Sequence, residues 1–398
     1  MQELEFPYQY LLKDYSFGSQ TNFQIAFDIV DVMYLIYHFD ISTKPKENQP
    51  RTGIINIPVT NVKLWMSVKP ELEKLVNWVS EDNISFKFNE VKKQNQFITL
   101  LSENTIKRDV VTLFSGGLDS LAGAYENYFK KIDSDYTGFV NNDPEGNTQR
   151  TLRNFYHQCF PNNDVHIIKM ENQQKKKHHM QSTRSLLYLS LAISKAISVN
   201  SNKVFIYENG ILSLNPEIHG RNTTKTTHPR TIFLFNSILE KLNVDIKIIN
   251  PFTFKTKGEV INSMNSIFKE QIKSTHTCGK SRLPRQYCHK GQCGVCIPCL
   301  LRKISMAAYD LESYDVKYHY DYGIKPNQIK EPRVRKDFIS NIDYFYDYVE
   351  YINNGTIFHH LELSSEYYED GRYLTYLQNM FKKFYEEFER FWSKYGIY

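Results

Sequence analysis

Apolar and polar positions along the 398-residue chain fall into three patterns. Up to about residue 105, strand-like runs at Phe23–Asp31, Gly53–Val59, Ile84–Phe88 and Phe97–Leu101 accompany an amphipathic stretch near Pro70–Val79, which predicts an α+β module. From about 106 to 323 the rhythm becomes strand, helix, strand, helix. Val110–Phe114, Tyr136–Val140, Val165–Met170, Lys203–Tyr207 and Asp245–Ile249 predict strands. Leu118–Lys130, Thr148–Gln158, Ser182–Val199, Pro229–Leu242 and Lys257–Lys273 predict the intervening helices. Alternation of this kind predicts an α/β fold, a parallel sheet with helices on both faces. In the remainder, 324–398, Phe338, Ile342, Phe345, Val349 and Ile352 recur at three- and four-residue intervals, as do Leu374, Leu377, Phe381, Phe384, Phe388 and Phe391. Such stripes predict helices with a packing face, a partner-binding helix being the lesser reading.

Composition narrows the class. Hydrophobic content of 41% with 23% charged residues is that of a globular chain with room for a large core. A net charge of +5 permits nucleic-acid contact without arguing for it. The one dense basic run, Lys175–His179, reads as a solvated loop rather than a phosphate clamp. The opening residues are acidic and lack an apolar core, and Phe23–Phe39 carries Asp28, Asp31 and His38, so neither a secretory signal nor a membrane span is expected. Five of six cysteines crowd into Cys278–Cys299, unlike a dispersed disulfide framework. Clustered thiols without an export signal predict metal and a cytosolic protein.

Two segments carry chemistry. The apolar run Val110–Phe114 stops at Ser115-Gly116-Gly117-Leu118-Asp119-Ser120. A strand that enters a glycine-rich loop and then a helix can cradle phosphate, because free N–H groups and the positive end of the helix dipole face the anion. No Gly-Lys-Ser/Thr follows, so this is not a Walker A loop. The bland alternative is a turn with no ligand. The second segment reads Thr275-His276-Thr277-Cys278, then Cys288, then Cys293-Gly294-Val295-Cys296-Ile297-Pro298-Cys299 and Arg302. Three cysteines at two-residue separations suit one tetrahedral metal, with Cys278 or Cys288 available as the fourth ligand. Structural zinc is the first choice and an iron–sulfur cluster the rival.

The loop resembles the pyrophosphate loop (PP-loop) of ATP pyrophosphatases, which cleave ATP between the α and β phosphates and adenylate a substrate. Together with the cysteine segment about 160 residues later, it resembles the 7-cyano-7-deazaguanine synthase (QueC) family over residues 108–305. The resemblance selects Cys278, Cys293, Cys296 and Cys299 as Zn²⁺ ligands. It also draws in Arg184 before a helix, Glu208-Asn209-Gly210 after a strand, and Pro251-Phe252 with Lys257 and Glu259. What it implies is a PP-loop (adenine nucleotide α-hydrolase-like) sheet with a zinc-binding insertion, ATP and Mg²⁺ as further cofactors, and 7-carboxy-7-deazaguanine as substrate. Backbone N–H groups of Gly116, Gly117 and Leu118 with the Ser115 and Ser120 hydroxyls would stabilise the departing pyrophosphate. Asp119 would orient Mg²⁺, Lys257 and Arg184 would counter phosphate charge, and Glu208 would line the nucleotide site.

Departures concern the acceptor side. Phe139-Val140-Asn141-Asn142 leading to Gln149-Arg150 replaces the family's Tyr-Gly-Gln-Arg-His, Ser185 replaces an asparagine, and Gly279 replaces a tyrosine. The added terminal regions resemble those of longer relatives, the QueC-like (QatC) components of Qat anti-phage defence systems. That resemblance implies a partner protein from the same operon as acceptor of the activated carboxylate. Two other classes stand beside this reading. One is a PP-loop tRNA sulfur transferase, for which Cys159 or Cys288 would supply the thiol. The other is a non-catalytic nucleotide-binding subunit of a defence complex.

Overall fold

The computed structural model describes residues 11–12, 15, 17, 23–44, 49–92, 106–140, 143–169, 181–218, 225–280 and 291–396. The expected strand Phe97–Leu101, the basic run Lys175–His179 and Cys288 lie outside the described residues.

The chain is mixed α/β. Among the described residues its larger sheet has five parallel strands: β3 (Val110–Leu113), β4 (Ser134–Val140), β5 (Val165–Lys169), β6 (Lys203–Phe205) and β7 (Lys247–Ile249), in spatial order β5-β4-β3-β6-β7. Leu118–Lys130 (α3), Asp143–Cys159 (α4), Arg184–Ser198 (α5) and Pro229–Lys241 (α7) fall close to the expected helices. The expected helix Lys257–Lys273 is instead broken into α8 (Lys257–Asn262), α9 (Ser266–Lys269) and a 3₁₀ turn at Ile272–Ser274. Asn265 is the cause: its side-chain oxygen accepts from Phe268 N at 3.0 Å and starts a new helix.

Two layers of apolar side chains sandwich the sheet. On one face Val111, Phe139, Val204 and Ile248 pack with α5 and α7; on the other Phe114, Tyr136, Val165 and Tyr207 pack with α3, α4 and α8. Because β3 is central and its neighbours run outward in opposite directions, the chain reverses order beside it. Loops at the carboxyl ends of β3 and β6 therefore diverge and leave a crevice, the usual ligand position in such sheets.

The N-terminal region corrects one expectation. Phe23–Asp31 is not a strand but the first half of α1 (Phe23–Ser42). Buried Ala26, Ile29, Val30, Met33, Ile36, Tyr37 and Ile41 continue at helical spacing past the run that reads as a strand. Among its buried acids, Asp28 accepts from Trp65 Nε1 at 3.0 Å and Thr60 N at 2.9 Å. The strands β1 (Thr52–Val59) and β2 (Asn83–Glu90) pair in parallel, joined by helix α2 (Val62–Ser80). Helix α1 packs on α5 and α2 packs on α7, in one continuous apolar cluster with the large sheet.

At the other end, α11 (Pro332–Asn353) and α12 (Tyr373–Tyr395) pack on each other and on α10 (Ile297–Ala307), the helix that follows the cysteine turn. Phe338, Ile342, Phe345, Leu377, Phe381, Phe384, Phe388 and Phe391 are all buried there, as a packing face requires. Ile352 is only partly buried, and Leu374, on the first turn of α12, is 44% exposed. No helix among the described residues is long and apolar enough to cross a membrane.

Candidate active site and metal centre

The loop after β3 is held from three sides. Phe114 N donates to Thr137 O (2.8 Å), Gln149 Nε2 donates to Phe114 O (2.9 Å), and His276 N donates to Gly116 O (3.1 Å). Gly116 turns the chain with φ +77°, a left-handed conformation that glycine adopts without strain, and an added Cβ would sit 3.1 Å from Gln149 Cγ. Gly117 caps α3, and its N–H donates to Ser115 Oγ at 3.1 Å. The first N–H groups of α3 lack partners within their own helix by geometry, and Leu118, Asp119 and Ser120 line the crevice. Ser120 lines the cleft, and its hydroxyl donates to Leu113 O at 3.4 Å.

Three strand ends then contribute charge. Asp119, buried on the first turn of α3, accepts from Lys257 Nζ of α8 through Oδ2 and from Asn209 Nδ2 (3.3 Å) through Oδ1. Asn209 Nδ2 also donates to Glu208 Oε1 at 3.1 Å. Two carboxylates and one ammonium thus share a small volume. Burial first, and then the neighbouring Asp119 charge, pushes the Glu208 carboxyl well above the usual carboxylate range, with Lys257 opposing. Glu208→Gln, which mimics the protonated acid, is expected to keep the melting temperature within a few degrees, whereas Glu208→Lys should lower it sharply. Equal melting of both variants would contradict a site that holds residue 208 uncharged.

These residues line a cleft of about 730 Å³. Arg184 enters it from the start of α5, its guanidinium 5.5 Å from the Tyr188 ring centroid. Thr137 Oγ1 and Ser185 Oγ, both buried on the cleft wall, have no hydrogen-bond partner among the described residues, so polar groups remain for a ligand to satisfy. The far wall comes from the cysteine segment and α11: His276, Thr277, Lys280, Pro298, Asp337 and Asn341. No sequence signal marks Asp337 and Asn341, which reach the cleft only because α11 folds over the cysteine turn. Arg302, fully buried, fixes that wall: it pairs with Asp315 (2.8 Å) and donates to Thr275 Oγ1 (2.8 Å) and Thr277 Oγ1 (3.1 Å).

Cys278, Cys293, Cys296 and Cys299 converge, all buried, with their sulfur atoms within 4.8 Å of one another. Cys293–Cys299 and Cys278–Cys296 are each 4.0 Å apart. A tetrahedral zinc site with Zn–S bonds of about 2.3 Å has sulfur–sulfur edges of about 3.8 Å, so the four thiols fit one ion. A cluster of several irons spreads its thiolates further. Hydrogen bonds from the other thiols, that of Cys293 foremost, hold Cys278 far below the usual thiol range, while burial pushes Cys299 well above it. A dication bound there would let all four ionise together. Val295 N and Cys293 N each lie 3.4 Å from a sulfur, and the Lys303 ammonium, beside Gly294 O (2.9 Å) and Tyr320 O (2.6 Å), adds a cation nearby. Cys159, by contrast, is half-buried at the end of α4, outside the cleft wall, with its thiol pushed up to about 11 by burial.

Behind Lys257, the preceding residue Thr256 donates its hydroxyl to Glu387 of α12. Burial raises the Glu387 carboxyl from 4.5 to about 7. The folded state therefore binds a proton that the unfolded chain releases. The contribution to stability is complete below about pH 4.5 and is lost as pH rises through 7, costing about 3 kcal/mol at pH 8. Glu259, Tyr309, Lys383 and Arg390 surround this group. Glu387→Gln should flatten the melting temperature between pH 5 and 8; an unchanged slope would count against this assignment.

No family model matches the chain. Over 243 residues it is 26% identical to the 7-cyano-7-deazaguanine synthase of Picrophilus torridus, an alignment that covers 53% of this chain and 92% of that protein. The likeness thus takes in almost the whole of the shorter enzyme and leaves about half of this chain outside it.

Proposed function

We propose that this chain is an ATP-dependent enzyme that adenylates a carboxylate, that of 7-carboxy-7-deazaguanine or a close analogue, and passes the acyl group to an amine. The observation that carries this reading is one cleft in which the Ser115–Ser120 loop, the Asp119–Lys257–Glu208 cluster and the wall built on the four cysteines meet. A carboxylate resists amine attack because oxide would have to leave, whereas AMP is a good leaving group. In the first step the substrate carboxylate oxygen attacks the α-phosphorus and the bond to the bridging oxygen of pyrophosphate breaks. Charge then builds on pyrophosphate, where the N–H groups of Gly116, Gly117 and Leu118 and the Ser115 hydroxyl can stabilise it. Lys257 and Arg184 bring positive charge to the same place.

Asp119 and Glu208 would hold Mg²⁺, a hard cation that takes carboxylate and phosphate oxygens and supplies charge neutralisation there. As phosphate draws the Lys257 ammonium away, Asp119 gains a free oxygen for that role. The cysteine site is structural in this reading, because four protein ligands leave no open position. In the second step an amine nitrogen attacks the acyl carbon and AMP departs, giving an amide; loss of water from a primary amide would give a nitrile. No protein nucleophile is required, so positioning dominates.

The regions 1–105 and 324–398, flanking the enzyme domain at 106–323, support assignment to the longer QueC-like components of anti-phage defence systems, with an amine of a partner protein as acceptor. Of the two thiols open to the sulfur-transferase alternative, that of Cys159 is raised and lies off the cleft wall, and Cys288 lies outside the described residues. Incubation of the chain with Mg-ATP, 7-carboxy-7-deazaguanine and ammonium should release AMP and pyrophosphate in equal amounts. Release of ADP and phosphate, or no nucleotide turnover, would overturn the reading. Co-expression with neighbouring proteins and intact-mass measurement then tests the protein acceptor: a deazaguanine adduct is the expected result.

A further inference from the structure

Each end of the chain inserts one buried carboxylate into the large domain, and the two insertions share a design. Asp40 of α1 is 1% exposed. Its Oδ2 accepts from Thr183 N (2.9 Å) and Thr183 Oγ1 (3.0 Å), while Oδ1 pairs with Arg51 NH2 at 2.9 Å. Arg51 is fixed in turn by Asp82 through its backbone N–H (2.8 Å) and Nε (3.0 Å). Thr183 immediately precedes Arg184, the cation that enters the cleft from α5. Glu387 of α12 is also 1% exposed. Its Oε1 accepts from the Thr256 hydroxyl and from Tyr309 OH (3.3 Å). Thr256 immediately precedes Lys257, the cation paired with Asp119. The same threonine–cation dipeptide, gripped through its threonine by a remote carboxylate, thus occurs on both sides of the cleft.

Neighbouring contacts reinforce the C-terminal grip. Three residues on one stripe of α12, at intervals of three and four, touch the two segments that face Asp119. Met380 lies against Gly210, where an added Cβ would sit 2.2 Å from its sulfur. Lys383 pairs with Glu259, the other half of the Thr256 capping box. Glu387 lies against Gly258, where an added Cβ would be 2.4 Å from Oε1. The carboxylates do not reach the cleft, so any effect they have on it passes through the backbone of Thr183–Arg184 and Thr256–Lys257.

We propose that Asp40 and Glu387 are positioning residues that set Arg184 and Lys257 in the cleft, which makes the two flanking regions working parts of the site. The inference rests on the reading that the cleft binds and cleaves ATP, and one arm of its test is independent of that reading. In the full chain, Glu387→Leu should lower the rate of AMP formation on the order of 10- to 100-fold, the scale of a small misplacement of a catalytic group. Glu387→Gln, which keeps an acceptor oxygen against Thr256, should restore most of it. Because Glu387 acts through Lys257, Glu387→Leu should cause no further loss in a Lys257→Met background; independent, multiplying losses would overturn the proposal. If Glu387→Leu does not fold, Thr256→Val replaces it in the same comparison.

On the other side, Thr183→Val removes the hydroxyl and leaves the Asp40 bond to the backbone. It should raise the KM for ATP several-fold at unchanged melting temperature, with no added effect in an Arg184→Met background. The independent arm is amide hydrogen exchange without nucleotide. Glu387→Leu should speed exchange in 257–262 and in 116–121 while leaving 52–59 unchanged. Uniform change, or none, overturns the proposal even if ATP turnover proves normal. If the unsubstituted chain turns over no ATP, the functional reading fails and the exchange result alone decides this one.

Discussion

Asp119→Asn is expected to reduce AMP formation on the order of 10³-fold or more while the chain stays folded. The expectation follows from where Asp119 sits. It occupies the first turn of α3 beside the loop, and its two oxygens are already committed to Lys257 and Asn209 from two other strand ends. It therefore fixes the position of Lys257 beside the Ser115–Ser120 loop. Loss of one preorganised electrostatic contact of this kind costs roughly 10²- to 10³-fold, and Asp119 supplies two. Asparagine keeps the volume and one acceptor oxygen. Asp119→Ala should be worse folded as well as inactive, because it removes the side-chain volume and both acceptor oxygens and leaves the buried Lys257 and Asn209 donors without them, a loss of about 1–3 kcal/mol. Adding Lys257→Met to Asp119→Ala should return part of that stability without returning activity. Measured turnover of Asp119→Asn near that of the unsubstituted chain would remove the loop from the chemistry.

Metal removal should have the second large effect. The purified chain is expected to carry one zinc ion, and Cys296→Ser should release it and lower the melting temperature by well over 10 °C. Binding free energy at such sites is part of folding free energy, about 10 kcal/mol in small zinc domains. Here the four thiols lie in the same apolar cluster as α10, α11 and α12, so their loss should loosen that whole end of the molecule. Cys296 also borders the cleft and precedes α10, which means that the substituted protein should lose catalysis along with metal. Cys159→Ser serves as the control and should change neither metal content nor melting. Full metal occupancy in Cys296→Ser with normal melting would refute the assignment, and a brown chromophore in anaerobically prepared protein would favour iron.

Much of the site can be read from local sequence because its parts are local. A strand, two glycines and a helix start are enough to define a loop that could face phosphate, since the free N–H groups arise from helix geometry itself. Cysteines two residues apart must share a turn, and a shared turn brings their sulfur atoms within reach of one ion. The same logic recovers Leu118–Lys130 and the positions of all five strands of the large sheet, whose apolar runs are bounded by polar turns. It fails at Phe23–Asp31, where a helix buried on nearly every side loses its polar face and reads as a strand. It fails again after Lys257, where one asparagine cap restarts the helix at a point that periodicity does not mark.

By itself the sequence determined the alternating α/β order, the loop and the cysteine segment, with Cys278 or Cys288 open as the fourth ligand, while the family resemblance added Arg184 and Lys257 as residues of interest. Only the tertiary structure decided that Lys257 meets Asp119 across 138 positions of chain, that Glu208 lies beside both, and that Asp337 and Asn341 close the far wall. It also decided what the two ends of the chain touch, Asp40 holding Thr183 and Glu387 holding Thr256. The physical reason is that patterning reports which face of an element is buried but not against what. A buried carboxylate leaves no periodic trace of its partner, and that partner is fixed only when distant helices pack.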